Sequence, residues 1–568
     1  MASASLNTAL ASSRLAAMNH STNRHGWLLF GVVVAAFVCL PIIAVAWLAL
    51  NPTENIWPHL ASTVLPSYLF NTVALMIGVA IGTLFIGVFS AWFVTHYQFP
   101  GRRILSWALL LPFAVPAYVI AHVYTDLLEF AGPVQSTLRD VFGWSRSSDY
   151  YFPSIRSLGG AIVMLVLVLY PYVYLLARAA FLEQSASILE AAQALGLTRT
   201  QRLFRIALPM ARPAIAVGLA MALMETLNDF GTVDYFAVRT LTAGLYDVWL
   251  GMGNLGGGAQ IASLILLFVL CLVGIEKFSR RAQSHVQSGS SRFRTLDRVP
   301  LTGSRAWIAC LLCVLPVVLG FVIPAIVLVR YSLIYFEVSW NSDFVRIAWN
   351  SISLSTMAAF AAVSVGLLLS YSKRLMNSSV LKVAVQISSL GYAIPGAVLA
   401  IGVMIPFTRF DNLLDSFMRE HFDISTGLLF SGSVGILVFA YTVRFLAVAH
   451  GGIDASMKKI SPHMDDAARS LGRSSLGILG RIHLPLMRSG LLTAALVVFV
   501  DGMKELPATL ILRPFNFDTL ATQVYQFASD ELIGESALFS LLIVLVGLLP
   551  VVLLSTTIDR SRDSASTA

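Results

Sequence analysis

The sequence predicts an all-α polytopic membrane protein with about twelve transmembrane helices, arranged as two six-helix bundles that repeat in the same orientation. Three observations predict this fold. Hydrophobic residues make up 57% of the 568 residues and charged residues only 12%, roughly half the charge of a soluble domain. Long apolar runs recur along the chain, and its two halves align with each other. A water-soluble enzyme and a disordered chain are both excluded by this composition.

The apolar runs are each about 20 residues long, which is enough to cross the hydrocarbon core of a bilayer. The first run follows a polar tail, and no small-residue cleavage site closes it, so we interpret it as a retained span rather than a signal peptide. The expected spans are 27–50, 70–94, 104–128, 159–181, 211–230, 260–277, 306–329, 350–371, 383–405, 428–449, 488–506 and 537–557.

Positively charged residues predict the orientation, because Lys and Arg concentrate in cytoplasmic loops. With both termini in the cytoplasm, 28 of the 38 Lys and Arg fall on the cytoplasmic side, including five across 178–212 and seven across 444–488. The net charge of +8 therefore indicates membrane topology, and no nucleic-acid partner is expected. The predicted organisation is a tail (1–26), a first six-helix domain (27–281), a Ser-rich basic linker (282–304), a second six-helix domain (305–558) and a C-terminal tail (559–568).

The two halves share sequence at fixed offsets. LLLPFAVPAYVIA (109–121) aligns with SSLGYAIPGAVLA (388–400), and Asn71 aligns with Asn350, both at an offset of 279. Six spans separate equivalent points, and an even number preserves orientation, so the repeats are parallel. Two such bundles facing each other leave room for a path between them. The alternative is a duplicated membrane scaffold with no transport role.

The most specific pattern is a motif that follows the fourth span of each half. The first motif segment is EAAQALGLTRTQRLFRIALP (Glu190–Pro209), and the second is DAARSLGRSSLGILGRIHLP (Asp466–Pro485). Each predicts a short amphipathic helix, a Gly turn with positive φ, and a second short helix stopped before the Pro that begins the next span. The shared residues are Glu190, Ala191, Ala192, Gly196, Ile206, Leu208 and Pro209 in the first copy, and Asp466, Ala467, Ala468, Gly472, Ile482, Leu484 and Pro485 in the second.

A single such segment could be an interfacial helix that only anchors a loop. Two copies at identical internal spacing favour a docking element for a partner. The pattern resembles the permease subunits of binding-protein-dependent ATP-binding-cassette importers, and this resemblance covers essentially the whole chain. It implies the type I permease fold of these importers, with the motif segments acting as coupling helices in clefts of two ATPase subunits. Asp466 departs from the usual Glu of the family.

The chain carries no G-x-x-x-x-G-K-[ST] motif, so we expect it not to hydrolyse ATP. We also expect no catalytic residues, no cofactor in this chain and no tightly bound metal. The resemblance implies ATP and Mg²⁺ on two copies of a separate ATPase, a periplasmic substrate-binding protein, and a place in the bacterial inner membrane among its lipids.

Two further segments bear on the substrate. METLNDFGTVDYFAVRTLTAGLYDVW (224–249) and MKELPATLILRPFNFDTLATQVYQFASDE (503–531) look like segments of ferric-iron importer permeases. Permeases for thiamine, phosphonates and other small solutes share the two-half plan and stay open as alternatives. A secondary transporter driven by an ion gradient is less favoured, because it gives no reason for duplicated docking segments.

Paired carboxylates near the ends of the fifth and eleventh spans are candidates for the path. Glu225 and Asp229 lie four residues apart, as do Asp501 and Glu505, at an offset of 276. Each pair is about one helical turn apart and shares a face. Ionisable groups in a membrane normally face a cavity or a partner, and a hard cation favours oxygen ligands. We therefore expect these four, with Lys504 as counter-charge, to face the path; the alternative is that they cap helix ends or pair with Arg239 and Arg513.

Overall fold

The computed structural model describes residues 2–52, 54–184, 186–281, 298–376 and 378–566, without the side chains of 2–25, 183, 186–187, 189–190, 279–281 and 552–566. The α-helices of the first half are Ala2–Leu50, Trp57–Ser62, Leu65–His96, Arg102–Ala108, Ala117–Leu128, Pro133–Phe142, Leu158–Glu183, Ala186–Ala194, Arg199–Arg202, Leu208–Asn228, Gly231–Tyr235, Leu241–Tyr246 and Leu255–Arg281. Short 3₁₀ turns lie at Leu111–Ala114 and Ser147–Asp149, and π-helical turns lie at Leu203–Ala207 and Asp247–Gly251.

The second half repeats this order. Its α-helices are Ser304–Val317, Ile323–Ile334, Phe336–Ser339, Ser342–Leu375, Ser379–Ser388, Gly396–Phe422, Val434–Lys458, Pro462–Ser470, Ser475–Ile478, Leu484–Lys504, Pro507–Leu512, Leu520–Ser529 and Ile533–Ser566. A 3₁₀ turn lies at Gly391–Ala393, and π-helical turns lie at Val318–Val322 and Leu479–His483. Strands Tyr97–Gln98 and Val299–Pro300 pair in parallel. Most of the predicted linker, residues 282–297, lies outside the described residues.

The predicted all-α fold with about twelve spans is confirmed. Eleven helices among the described residues are long and apolar enough to cross a membrane. The remaining predicted span, the third, is a pair of helical segments, Arg102–Ala114 and Ala117–Phe142, bent by 92°. The numbered spans are 1 Gly26–Leu50, 2 Leu65–His96, 3 the bent pair, 4 Leu158–Leu182, 5 Arg199–Asn228, 6 Leu255–Phe278, 7 Ser304–Ile334, 8 Ser342–Leu375, 9 Gly396–Phe422, 10 Val434–Lys458, 11 Ser475–Lys504 and 12 Ile533–Val551.

Two of the expected spans are interrupted where the sequence suggested continuous helices. The third breaks at Pro116, and the apolar run 383–405 breaks at the equivalent Pro395. Each Pro has an extended backbone and directly precedes the following helix, with ψ of 145° and 143° respectively. Proline has no N–H for a helix interior, whereas it is tolerated at a helix start. The break therefore recurs in both halves for the same reason.

Hydrogen bonds at equivalent positions give the repeat a structural basis. Asn71 Nδ2 donates to the carbonyl of Arg239 at 3.0 Å, and Asn350 Nδ2 donates to that of Asp518 at 3.1 Å. One residue further along, Thr72 Oγ1 accepts from the backbone N–H of Leu241 at 2.9 Å. The equivalent bond in the second half runs from Leu520 to Ser351. In each half, the second span of the bundle thus fixes the start of a short buried helix, Leu241–Tyr246 in the first half and Leu520–Ser529 in the second.

The first span of each half packs against the other half. Span 1 contacts span 9, where a Cβ on Gly402 would collide with the backbone of Pro41. Span 7 contacts the third span, and Tyr331 donates a hydrogen bond of 2.6 Å to Asp126 there. The two bundles are therefore interlocked by their first helices as well as being in contact along an interface.

Candidate functional site

One cavity of about 130 Å³ lies between the two halves. The ends of spans 5 and 11 line it, together with spans 4 and 10 and the turns that break the third span and the equivalent segment before span 9. All five residues predicted for the path line this cavity: Glu225, Asp229, Asp501, Lys504 and Glu505. The structure therefore brings both carboxylate pairs together at one place, and it does so because they occupy equivalent positions in facing repeats.

The second carboxylate of each pair lies just past the end of its helix and binds backbone N–H groups. The helix of span 5 ends at Asn228, and Asp229 accepts hydrogen bonds of 3.2 Å from the backbone N–H groups of Thr232 and Val233. In the second half, Glu505 accepts a hydrogen bond of 3.1 Å from the N–H of Ala508. These contacts fit the alternative prediction that the carboxylates cap helix ends.

The alternative prediction named Arg239 and Arg513 as partners of these carboxylates, and the structure shows a different ion pair. Arg513 pairs with Asp518 instead. Glu505 pairs with Arg444, whose Nε lies 3.2 Å from Glu505 Oε2, and both side chains are about 4% exposed. Arg444 was counted with the cytoplasmic cations although the predicted span 428–449 contains it, and the structure places it inside span 10. A signal was available, because Arg444 follows an apolar run of only ten residues within a helix that continues past it.

The first carboxylate of each pair has no cationic hydrogen-bond partner. Glu225 Oε1 accepts a hydrogen bond of 2.9 Å from the hydroxyl of Tyr392, which in turn lies 3.3 Å from the hydroxyl of Tyr172. The carboxylate of Asp501 accepts no hydrogen bond from the described part of the chain, although Lys504 is close enough to interact with its charge. Among the four carboxylates of the cavity, only Glu505 forms an ion pair within the described part of the chain, and Glu225, Asp229 and Asp501 do not.

Reciprocal contacts join the halves at the cavity. Lys504 Nζ donates to the carbonyl of Phe113, in the turn that breaks the third span, at 2.9 Å. Its equivalent in the first half, Asn228, accepts a hydrogen bond of 2.7 Å from the N–H of Gly396 and one of 3.0 Å from Arg444. Each half therefore holds the broken segment of the other from the same helical position. Separation of the halves requires these contacts to break together.

Within the residues that the structure describes, no three His, Cys, Asp or Glu side chains lie close enough to hold a metal ion. The four carboxylates of the cavity are spread around its wall. A cation entering the cavity would therefore need other oxygen atoms to complete its coordination.

The motif segments fold alike in both halves. Helix Ala186–Ala194 is followed by Gly196 with φ of +79°, and helix Pro462–Ser470 is followed by Gly472 with φ of +76°. In each copy the N–H three residues past the end of the helix donates to the carbonyl five residues earlier, from Leu197 to Ala192 and from Arg473 to Ala468. This 6→1 bond with a left-handed Gly is a Schellman cap. The predicted helix and Gly turn are present in both copies.

The second short helix of each motif segment does not stop before the proline, contrary to expectation. It passes through a π-helical turn, Leu203–Ala207 or Leu479–His483, directly into the next span. Pro209 and Pro485 lie in the first turn of the α-helix that follows, where the missing N–H costs little. Ile206 and Ile482 fall within the π turns, and Leu208 and Leu484 begin the α-helices. Each motif segment is therefore joined to its span by continuous helix.

Exposure differs along the motif helices. Ala192 and Ala468 are buried, while Ala191 and Ala467 are exposed. Asp466 is exposed and lies 3.4 Å from Arg469. The backbone of Glu190 lies on its helix, but its side chain is outside the described part of the structure.

A large apolar side chain stands in solvent beside each Gly turn. Leu195 is 82% exposed and Leu471 is 81% exposed. These two leucines occupy equivalent positions of the repeat. They were not singled out from the sequence.

The second motif segment is tied down by a charged network that the sequence analysis missed. Asp465 Oδ2 accepts a hydrogen bond of 2.7 Å from Arg374 Nε, and Asp465 Oδ1 lies 2.8 Å from His483 Nε2. Arg374 also donates to the carbonyls of Met457 and Ile460. Burial alone would raise the pKa of Asp465, but the hydrogen bonds and charges of Arg374 and His483 outweigh it and hold that pKa below its usual value. In the first half the equivalents of Asp465 and His483 are Leu189 and Ala207, so this network has no counterpart there.

Known proteins are similar to parts or most of this sequence. Residues 83–283 match the family described as binding-protein-dependent transport system inner membrane component. An Fe(3+)-transport system permease protein of Haemophilus influenzae is 24% identical over 86% of this chain and 89% of its own length. A probable sulfate transport system permease of Chlorokybus atmophyticus is 28% identical over 38% of this chain and 72% of its own. A molybdenum transport system permease of Escherichia coli is 26% identical over 33% of this chain and 82% of its own length.

A solved structure, a bacterial alginate ABC transporter in complex with an alginate pentasaccharide-bound periplasmic protein, matches 45% of this chain and 95% of its own chain. The TM-score is 0.34 and the identity 16%, a likeness that carries no inference.

Proposed function

We propose that this chain, which belongs to the inner-membrane components of binding-protein-dependent transport systems, is the permease of an ATP-driven importer that carries ferric iron. It is a multi-pass membrane protein and a transport component rather than an enzyme. The observation that carries the substrate proposal is the interfacial cavity, where Glu225 and Asp501 present carboxylates with no cationic hydrogen-bond partner. The iron-transport relative, which aligns over most of both chains, supports it.

Charge in the cavity favours a cation over an anion. Four carboxylates face two cations, Arg444 and Lys504. Arg444 is engaged by Glu505, and Lys504 by the carbonyl of Phe113. Two negative charges are therefore left over when all groups are ionised. Hard trivalent cations prefer anionic oxygen ligands, so this excess suits ferric iron.

An oxyanion such as sulfate or molybdate is the second candidate. The sulfate and molybdenum permeases are similar to this chain over 38% and 33% of its length, and Lys504 and Arg444 offer N–H donors that an oxyanion could bind. An oxyanion would have to approach Glu225 and Asp501 against repulsion. The two candidates therefore predict opposite effects of removing those carboxylates.

Uptake by the reconstituted importer tests the substrate proposal. The double variant Glu225→Gln with Asp501→Asn keeps the shape of both side chains and removes their charge. It should lose most iron uptake while ATPase assembly stays intact. The matched control, Asp140→Asn with Asp343→Asn, removes two exposed carboxylates that lie outside the cavity. Unchanged iron uptake in the double variant, or faster molybdate or sulfate uptake in it, would count against iron.

Coupling to ATP hydrolysis is assigned to the motif segments. We expect both termini and these segments to face the cytoplasm, where two copies of an ATPase bind one segment each. A periplasmic binding protein would deliver substrate from the opposite side. The exposed Leu195 and Leu471 support docking, because each adds an apolar contact at the tip of a rigid turn. Continuous helix from each turn into spans 5 and 11 gives a direct mechanical connection to the cavity.

Co-purification tests the docking proposal. Gly196→Trp or Gly472→Trp should block ATPase assembly, because bulk is added beside the exposed leucine. Glu190→Lys with Asp466→Lys should do the same through charge, and we expect Glu190 to be the more sensitive position. Normal ATPase co-purification together with normal transport in these variants would contradict the proposal.

A further inference from the structure

Two tyrosine hydroxyls meet in the cavity, one from each half of the chain. Tyr172 lies on span 4, and Tyr392 lies in the turn that precedes span 9. Their oxygens are 3.3 Å apart, and Tyr392 donates to Glu225 at 2.9 Å. Both side chains are partly exposed to the cavity. The pair is not repeated in the other half, because the residues equivalent to Tyr392 and Tyr172 are Phe113 and Val448.

The spacing of these oxygens suits one small, highly charged ion. Adjacent ligands of an octahedral ion with metal–oxygen bonds of about 2 Å lie about 2.8 Å apart. The separations of 3.3 Å and 2.9 Å belong to hydrogen bonds between these oxygens, and they lie within about 0.5 Å of that ligand spacing. The hydroxyl of Tyr118, which lines the same cavity and is buried, has no hydrogen-bond partner among the described residues. It is a further oxygen donor that the protein itself does not use.

We propose that Tyr172 and Tyr392 bind ferric iron as phenolates during its passage, with Glu225 as the proton acceptor. This inference rests on the proposed iron transport. Each phenol must lose a proton to become an anionic ligand. The proton of Tyr392 moves along its existing hydrogen bond to Glu225, and that of Tyr172 passes to water in the cavity. No electron is transferred, so iron stays ferric. Return of the proton from Glu225 to Tyr392, and of a proton from water to Tyr172, restores two neutral phenols, which are weak ligands, and the ion is released.

The site exists only while the halves are together. Tyr172 belongs to the first half and Tyr392 to the second. The hydrogen bond from Lys504 to the carbonyl of Phe113 joins the two halves beside the same cavity. Movement of the two halves apart therefore separates the ligands. A path that opens by separation of the halves would therefore release iron in the same movement.

Absorption spectroscopy tests this proposal, because iron(III) bound to phenolate gives a visible charge-transfer band. The full-length chain in lipid nanodiscs is titrated with ferric nitrilotriacetate. The wild-type chain should develop the band, and gallium(III), a redox-inert trivalent ion, should displace it. Tyr172→Phe and Tyr392→Phe should each weaken iron binding by at least about 10–100-fold, the loss typical of outer-shell partners, because each tyrosine is a direct ligand.

Tyr170→Phe is the matched control. Tyr170 lies two residues before Tyr172 on the same helix, is fully buried and does not line the cavity, and its hydroxyl has no hydrogen-bond partner among the described residues. This variant should keep the full band. Absence of the band in the wild-type chain would overturn the proposal without any variant, and so would a band that persists when both tyrosines are replaced. If the wild-type importer takes up iron without the band, the tyrosine site fails and iron transport stands. Uptake of an oxyanion instead of iron overturns both.

Discussion

Replacing Asp465 by Asn should loosen the second motif segment without unfolding the membrane helices. The carboxylate lies between Arg374 and His483 at 2.7 Å and 2.8 Å, and its side chain is 7% exposed. Removing one partner of a buried ion pair costs about 3–5 kcal/mol. Asn keeps one acceptor and Arg374 is 14% exposed, so we place the loss near the low end, at about 3 kcal/mol. Helix Pro462–Ser470 should bear most of this loss, because Asp465 lies within it.

Hydrogen exchange measures this local loss. A change of about 3 kcal/mol corresponds to roughly 100-fold faster exchange of the amides in that helix. Asp466→Asn is the matched control, since this neighbour is exposed and its removal should leave the exchange unchanged. It should instead weaken ATPase docking. Exchange in Asp465→Asn within a few-fold of the wild type, or equal acceleration in both variants, would refute the reasoning.

The pH dependence of this network has a definite sign. The pKa of Asp465 is lowered in the folded chain, so its contribution to stability is present above the pKa of an unfolded Asp, about 3.9, and is lost as pH falls through the lower folded value. We therefore expect the carboxylate to contribute fully at neutral pH. Accelerated exchange of helix Pro462–Ser470 between pH 7 and 6, if abolished by Asp465→Asn, would contradict this sign.

Three further predictions follow from backbone geometry and buried charge. Gly196→Ala and Gly472→Ala should each lower the free energy of unfolding by about 1–2 kcal/mol, because a side chain is strained at positive φ even though nothing lies within 4 Å of the new Cβ. Substrate-stimulated ATPase activity should fall in these variants, and unchanged stimulation would argue against a rigid turn. Arg444→Met should cost about 3–5 kcal/mol by leaving Glu505 buried without its cation, which a lower melting temperature in detergent would register. Gly402→Ala should lower the free energy of unfolding by about 1–3 kcal/mol, because it overpacks the crossing of spans 1 and 9. An unaltered melting temperature would contradict this prediction and show that the crossing can relax.

Features that depend on apolar run length and on repetition were predictable from the sequence. The apolar runs locate the spans, since the length of a run decides whether it can cross a bilayer. The equal offset of 276 also led to the carboxylates of the cavity, because equivalent positions of two facing repeats approach the same interface. Asn71 and Asn350, aligned only by sequence, make the same hydrogen bond in both halves.

Features that depend on which helix faces which were not predictable. Arg444 lies inside the predicted span 428–449, but the span does not show its partner, and only the fold shows that it reaches Glu505. Asp465 was passed over because its neighbour Asp466 already satisfied the motif. Apolar periodicity indicates that a helix is buried but not against which partner, so the exchange of first spans between halves could not be read from it.

The crossing of span 1 with span 9 sets a constraint on synthesis. Span 1 emerges from the ribosome first, yet span 9, whose Gly402 meets Pro41 of span 1, is made only after most of the chain. At about 5–20 residues per second, the interval is on the order of tens of seconds. During that time span 1 must rest in lipid beside its own half. Span 1 also packs against span 6 of its own half, so the crossing at Gly402 forms later, when span 9 reaches a helix that is already in the membrane.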